Sequence, residues 1–172
     1  MSRTRTEDAA GKRRRNGKTG IDIKAEDNEY LHKDFHITGD NGLEYVGMKY
    51  GDNGVREYLT RFAKAFYKPL FDAYRKEGLR ALMEQQQKLY EAEKMPEVFH
   101  AELDDDCLTV TVDRCPGVTF MKERGKTPSR WYKELTNTVN MAIADELDLG
   151  FSLEYYNEED GSCKYRYFRR TF

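Results

Sequence analysis

The chain has few of the residue types that usually carry catalytic or structural chemistry: it contains 3 cysteines, 3 histidines, 1 tryptophan and 4 prolines in 172 residues. Three widely spaced cysteines make no disulfide framework, so we expect free thiols in a reducing compartment. No apolar run approaches the roughly 18 residues that a membrane span needs. The charged N-terminus is followed by no hydrophobic segment and predicts no secretory signal. Together these absences predict a cytoplasmic protein without a membrane partner.

Several sequence motifs are also missing. The chain has no glycine-rich phosphate loop, no Walker motif, no nucleophile elbow and no CxxC pair. We therefore expect no nucleotide cofactor.

Charge is distributed unevenly along the chain. Residues 1–20 carry seven basic and two acidic side chains, a balance of +5, so with a net charge of −2 the other residues carry −7. Residues 1–20 contain no large apolar side chain after Met1 and cannot bury a core of their own. We predict a basic, flexible tail over residues 1–27 and a single domain over residues 28–172. Nucleic acid is expected as a partner only through the tail, because the remainder is acidic.

Helical periodicity dominates the first half. Apolar residues recur at spacings of three and four over residues 55–70 and 79–90, which predicts two core-facing helices. Residues 31–50 also place apolar side chains on one helical face, although the TGDNG within them is typical of a loop. If that stretch is helical, Gly39 and Gly42 would allow unusually close packing against a neighbouring element.

The second half changes to a period of two. Residues 98–103 and 108–112 alternate on either side of DDD, which predicts a hairpin. The segments FSLEYY and CKYRYF, residues 151–156 and 163–168, predict a second one. Neither hairpin is stable alone, so we expect both in one antiparallel sheet covered by the helices of the first half.

Between the hairpins, the sequence predicts a helix. Thr127 and Pro128 form a typical N-cap and first-turn pair, and Gly150 is placed to end the helix. The predicted fold class is α+β, with a helical N-terminal half packed on an antiparallel sheet of about four strands and a ββαββ C-terminal half.

The stretch VDRCPGVTFMKERGKTPSRWYKELTNTVNMAIADELDLGFSLEYYNEEDGSCKYRYFRR resembles the C-terminal part of the L-2-amino-thiazoline-4-carboxylic acid hydrolase family. The resemblance covers residues 98–170 and includes a strand that ends at a cysteine before a short helix, and a closing hairpin. HKDFH and the helices of the first half add to it. It implies hydrolysis of a C–N bond in a cyclic amidine or amide. The architecture is also similar to the vinyl-reductase-type domains, which implies small-molecule binding without turnover.

Few side chains can act as nucleophiles, bases or soft metal ligands. His32 and His36 share a helical face, a spacing that suits two imidazoles on one metal or an acid and a base on one substrate. Cys115 closes a strand at a Cys-Pro-Gly turn, and Cys163 opens the last strand. If these strand ends adjoin, both thiols could reach one pocket, where Arg114 or the start of the next helix could favour a thiolate.

These observations give a predicted site. The predicted catalytic residues are Cys115, His36 and His32, and the predicted substrate-binding residues are Arg114, Tyr67, Tyr155 and Tyr165. No metal is assigned, although His32, His36, Cys115 and Cys163 could bind a divalent ion. Packing alone would also account for a buried cysteine or a half-exposed histidine pair, and that interpretation stays open.

Three functions stay open from the sequence. The first is a hydrolase acting on a C–N bond of a small molecule. The second is a domain that binds a hydrophobic or aromatic small molecule, and the third is an RNA-associated protein that uses the basic tail. A homodimer is compatible with all three.

Removal of residues 1–20 tests the predicted tail. We expect the melting temperature to change by only a few degrees, because this segment supplies no core side chain. Thermal unfolding followed by circular dichroism measures this, with the full chain as the control. Loss of the folded state on truncation would show that the segment is part of the domain.

Overall fold

The structure is a computed structural model that describes residues 31–170, with side chains described from Phe35 onward. The predicted tail over residues 1–27 lies outside the described residues. The helices are α1 (Leu31–Phe66), α2 (Lys68–Glu77), α3 (Leu79–Ala92), α4 (Pro116–Glu123) and α5 (Glu134–Glu146). The strands are β1 (Phe99–Leu103), β2 (Cys107–Val112), β3 (Leu149–Tyr156) and β4 (Cys163–Arg169), and a short 3-10 turn, Pro96–Val98, precedes β1.

The four strands form one antiparallel sheet in the order β1-β2-β4-β3. This confirms the predicted α+β class and the pairing of both hairpins in one sheet. Alternation places one set of side chains against the helices: Leu108, Val110 and Val112 of β2, and Cys163, Tyr165 and Tyr167 of β4, are buried. Lys164 and Arg166, between the buried residues of β4, are exposed. The sheet therefore packs on one face.

The sheet is covered by helices from both halves of the chain. α3 packs on β1 and β2, α5 packs on β3, and α1 packs on α5. The first-half helix α3 covers the sheet as expected, and α5 of the second half adds to this cover. Since α4 also forms a helix of its own, the second half has the order ββααββ, one helix more than predicted.

Helix α1 continues through TGDNG and changes direction at Gly51, which has φ 72° and ψ −173°. The expected close packing at Gly39 and Gly42 is absent, since an added Cβ at Gly42 would meet nothing within 4 Å. Close packing occurs instead at Gly47, where a Cβ would lie 2.4 Å from the Trp131 indole. The large side chain that packs closely on α1 is thus that of Trp131, a loop residue distant in sequence.

The loop between α4 and α5 is attached to α1 at two points. The fully buried Asp40 carboxylate accepts the Ser129 N–H at 3.0 and 3.1 Å and pairs with Lys126 Nζ at 3.0 Å. Further along, Trp131 Nε1 donates to Asp52 at 2.8 Å. These bonds hold the loop, and with it the segment leading to Tyr132, against α1.

Helix α5 differs from its predicted boundaries at both ends. It begins at Glu134 rather than just after Thr127, and the Ser129 amide in the segment before it is bound by Asp40. At the other end, Asp148 takes the left-handed conformation with φ 55°. Gly150 lies in β3, where a Cβ would come within 2.2 Å of the Phe168 ring. The predicted helix-capping role of Gly150 is wrong.

Across residues 31–170 the helices do not combine the length and the apolar character that a transmembrane segment requires.

Two glycines of α1 give a matched test of this packing. Gly47→Ala should lower the free energy of unfolding by about 2 kcal/mol, because its methyl group would overlap the Trp131 indole. Gly42→Ala, in the same helix but facing open space, should raise the free energy of unfolding by up to about 1 kcal/mol through helix propensity. Urea unfolding followed by Trp131 fluorescence measures both. Equal effects would contradict the packing of α1 on Trp131.

Candidate functional site

Cys115 lies at the junction of β2, α4 and the loop between β3 and β4. It is the N-cap residue of α4 in an extended conformation, with φ −81° and ψ 125°, and Pro116 follows in the first turn. Its N–H donates to the Asp160 carbonyl oxygen at 2.8 Å. A Cβ at Gly161 would lie 2.4 Å from Cys115 Cβ, so the loop backbone passes directly against this residue. The Cys-Pro-Gly turn thus fixes the thiol between two elements.

A chain of hydrogen bonds joins three elements beside this turn. The Tyr132 hydroxyl lies 3.2 Å from His36 Nδ1, and His36 Nε2 lies 3.1 Å from Glu93 Oε1. The His36 and Glu93 side chains are 17% and 16% exposed, so this part of the site is partly accessible to solvent. A carboxylate can only accept, so a neutral imidazole at this position carries its proton on Nε2 and accepts from Tyr132 at Nδ1.

Gly117 permits these side chains to reach the start of α4. A Cβ at this position would lie 2.1 Å from the Tyr132 hydroxyl oxygen and 2.6 Å from His36 Nδ1. Any larger residue would occupy the space in which the phenol and the imidazole meet. The glycine in the Cys-Pro-Gly turn is therefore required by the close approach of these two side chains.

Cys115 as a whole is partly exposed, but its thiol is buried, and the residue packs against the cluster of Val118, Met121 and Tyr132. Burial raises the pKa of this thiol above its usual value. The backbone N–H groups of Val118 and Gly117 and the Tyr132 hydroxyl act in the opposite direction, since each favours the thiolate. The thiol is therefore mostly protonated at neutral pH, but donors that would stabilise its anion surround it.

The environment of the thiol is rich in groups that remain uncharged. Burial raises the pKa values of Tyr90, Tyr132 and Tyr156 above the usual phenol value, and the Cys115 thiol contributes to each of these shifts. Burial and then Cys115 raise the pKa of Cys163 to about 12. The two thiols therefore share a neutral, weakly solvated region, as their positions at strand ends predicted.

The predicted catalytic residues meet in part. Cys115 packs against the cluster that contains Tyr132, and His36 lies within hydrogen-bond distance of the Tyr132 hydroxyl. His32 lies one turn before His36 in α1, but its side chain falls outside the described residues. Cys163 is buried, and the Cys115 thiol contributes to the raised pKa of Cys163.

The predicted substrate-binding residues lie elsewhere. Arg114 extends to Glu97 at 3.3 Å, and Tyr155 is 52% exposed with its hydroxyl 3.4 Å from Ser162 Oγ. Tyr165 is 2% exposed and donates to Gln86 at 3.0 Å within the main core. Tyr67 packs against that core as well. The structure does not bring these four side chains to the Tyr132–His36 pair, because each packs or forms a hydrogen bond in another part of the fold.

The metal hypothesis gains no ligand set here. Within the described part of the chain, no group of three or more His, Cys, Asp or Glu side chains is arranged to hold a metal ion. His36 uses both ring nitrogens in bonds to Tyr132 and Glu93.

Sequence reasoning missed the two residues that complete the site. Glu93 lies just after α3 and is 57 positions from His36, and Tyr132 is 96 positions from it. Neither belongs to a recognisable motif. The one available signal was the Cys-Pro-Gly glycine, which indicates close approach by another part of the chain but does not identify that part.

Comparison with known proteins yields no match to a family model, a curated protein or a solved structure. The functional argument therefore rests on the geometry of this site.

The buried thiols and phenols predict a loss of stability in alkaline solution. Their pKa values are raised on folding, so above about pH 8.5 the folded chain binds more protons than the unfolded chain, and stability falls as pH rises. Cys163, with a pKa of about 12, should alone remove about 1.4 kcal/mol per pH unit between its unfolded and folded pKa values.

Urea unfolding at increasing pH measures this loss, and Cys163→Ala should reduce the slope. A free energy of unfolding that stays constant or rises above neutral pH would contradict the burial of these groups.

Proposed function

We propose that the protein is a cysteine-dependent hydrolase that cleaves a C–N bond in a small cyclic amidine or amide. Cys115 is the nucleophile and His36 is the general base and acid. The observation that carries the proposal is a cysteine at the N-cap of α4 that packs against the cluster containing Tyr132, whose hydroxyl bonds a histidine that is held by a carboxylate. A nucleophile, a base and a group that orients the base are the parts that such catalysis needs.

The proposed reaction has two stages. The Cys115 sulfur adds to the amide or amidine carbon as His36 takes the thiol proton, and a C–S bond forms. The C–N bond then breaks, and the departing nitrogen receives the proton from His36. Water next adds to the carbon and gives a proton to His36, the C–S bond breaks, and the proton returns to the sulfur. One water is consumed, and the thiol and imidazole are restored.

The start of α4 supports the charged states in this scheme. The N–H groups of Gly117 and Val118 favour the Cys115 thiolate, and the helix N-terminus adds a partial positive charge. Tyr90 and Tyr156 border the thiol without charge, so interactions with a developing anion are weakly screened. These features favour attack by sulfur over simple storage of a cysteine in the core.

Two other functions were compatible with the sequence. A small-molecule-binding domain would use the same region without turnover, and the link between Cys115 and His36 favours the hydrolase over it. An RNA-associated protein would act through the basic tail, which lies outside the described residues.

The role of Cys115 can be tested by substitution against a matched thiol. The purified protein is assayed for ring opening of cyclic amidines and amides, among them 2-amino-thiazoline-4-carboxylate. Cys115→Ser should lower turnover at least about 100-fold, because a hydroxyl replaces the nucleophile. It should change the free energy of unfolding by only about 1 kcal/mol.

Cys107→Ser provides the control, since Cys107 is partly buried in β2 and contacts Thr109 instead of the site. It should leave turnover unchanged. After acid quench, intact mass should show a covalent adduct on the wild type and none on Cys115→Ser. Full turnover by Cys115→Ser, or saturable binding without ring opening, would reject the hydrolase and, in the second case, favour the binding domain.

A further inference from the structure

We infer that Tyr132 carries the proton between the Cys115 thiol and the His36 imidazole. Glu93 is a positioning residue that holds the imidazole for this transfer. The inference rests on the proposed role of Cys115 as the nucleophile, and it adds the route by which that nucleophile forms.

With a neutral imidazole, the hydrogen-bond donors and acceptors of these side chains allow one direction. Glu93 accepts from His36 Nε2 at 3.1 Å, so Nδ1 has no proton and accepts. The group that faces Nδ1 at 3.2 Å is the Tyr132 hydroxyl, which then donates its only proton there. The oxygen of Tyr132 is left as an acceptor, and the donor that we assign to it is the S–H group of Cys115, which packs against the buried cluster of Val118, Met121 and Tyr132.

The transfer moves two protons and no other atoms. The thiol proton passes to the Tyr132 oxygen as the phenol proton passes to His36 Nδ1. The products are a thiolate, a neutral phenol that now donates to sulfur, and an imidazolium that donates to Tyr132 and Glu93. The reverse transfer restores the resting state, so Tyr132 is never charged in either end state.

The relay resolves a conflict in the electrostatics of the site. Loss of the thiol proton to solvent would leave an added charge in a poorly solvated region, which burial disfavours. Internal transfer leaves the total charge of the four side chains unchanged. A thiolate can thus form at neutral pH although the thiol itself is a weak acid here.

Other titratable groups face the proposed relay of Cys115, Tyr132, His36 and Glu93 from the elements packed around it. They are Asp40 of α1, Tyr90 of α3, Tyr156 of β3, Asp160 of the β3–β4 loop and Cys163 of β4. The phenols and Cys163 have raised pKa values and stay neutral through the pH range of the test. Asp40 is already paired with Lys126.

The test is the pH dependence of Cys115 alkylation by iodoacetamide, measured on the full chain by mass spectrometry of the peptide that contains Cys115. It requires no substrate. An isolated thiol reacts about tenfold faster per pH unit below its pKa, because only the thiolate reacts. In the wild type the relay should give a rate that is independent of pH between about pH 7 and 8.5, because the internal transfer forms the thiolate without releasing a proton to solvent.

Tyr132→Phe should abolish this plateau and lower the rate at about pH 7.5 at least tenfold, because the connection to His36 is lost. Gly117→Ala should do the same while keeping every relay group, because its Cβ would separate the Tyr132 hydroxyl from His36 Nδ1. Glu93→Gln should lower the plateau about three- to tenfold, because a neutral amide holds the imidazole less firmly than a carboxylate does. Tyr155→Phe, which removes an exposed phenolic hydroxyl outside the proposed relay, should leave the alkylation rate of Cys115 and its pH dependence as in the wild type.

Two results would overturn the relay: a wild-type rate that rises tenfold per pH unit without a plateau, or a plateau that survives Tyr132→Phe. The wild-type profile decides even if a variant does not fold. The outcome is also separable from the proposed function. Cys115-dependent ring opening without a plateau would reject the relay alone, whereas a Tyr132-dependent plateau without hydrolysis of any substrate would reject the hydrolase alone.

Discussion

The site depends on one buried charge, the carboxylate of Asp40. A fully buried carboxylate is costly unless nearby donors and a counter-charge compensate it, and here the Ser129 amide and Lys126 do so. Satisfying this group fixes the loop between α4 and α5 on α1. Tyr132 follows three residues after Ser129, and His36 precedes Asp40 by about one helical turn on the same face of α1. The constraint that stabilises the loop therefore also aligns the phenol with the imidazole.

The chemistry and the burial of the site depend on each other. Neutral phenols and a neutral second thiol enclose Cys115, which raises the pKa of its thiol but also strengthens every hydrogen bond to its anion. A solvent-exposed cysteine at the same helix start would ionise more easily but would gain less from the helix amides. The small residues of the turn make the enclosure feasible, since Gly117 and Gly161 let two side chains and one loop approach within contact distance. The site thus combines restricted solvent access with a preorganised set of donors.

Sequence reasoning succeeded where the determining forces are local. The period-two alternation of β2 and β4 located both hairpins and the single sheet, because alternation directly reflects which face is buried. It failed where a distant partner decides. Thr127 and Pro128 have the composition of a helix start, yet this segment is bound to Asp40, 89 positions away, and the helix begins only at Glu134. Gly39 and Gly42 have the composition for close packing, but the indole that needs space lies against Gly47.

The candidate site divides in the same way. The sequence by itself determined that Cys115 would stand at a strand-to-helix turn, because a Cys-Pro-Gly segment after an alternating strand is a local feature, and it left open whether the segment with His36 is helical. Only the tertiary structure decided that Tyr132 and Glu93 would join them, and that Arg114, Tyr155 and Tyr165 would not. A hydrogen-bond chain forms from side chains whose separation in space is set by the packing of α1 on α4 and α5 and by the attachment of one loop. Residue spacing along the sequence does not determine those distances, so no pattern in the sequence could specify them.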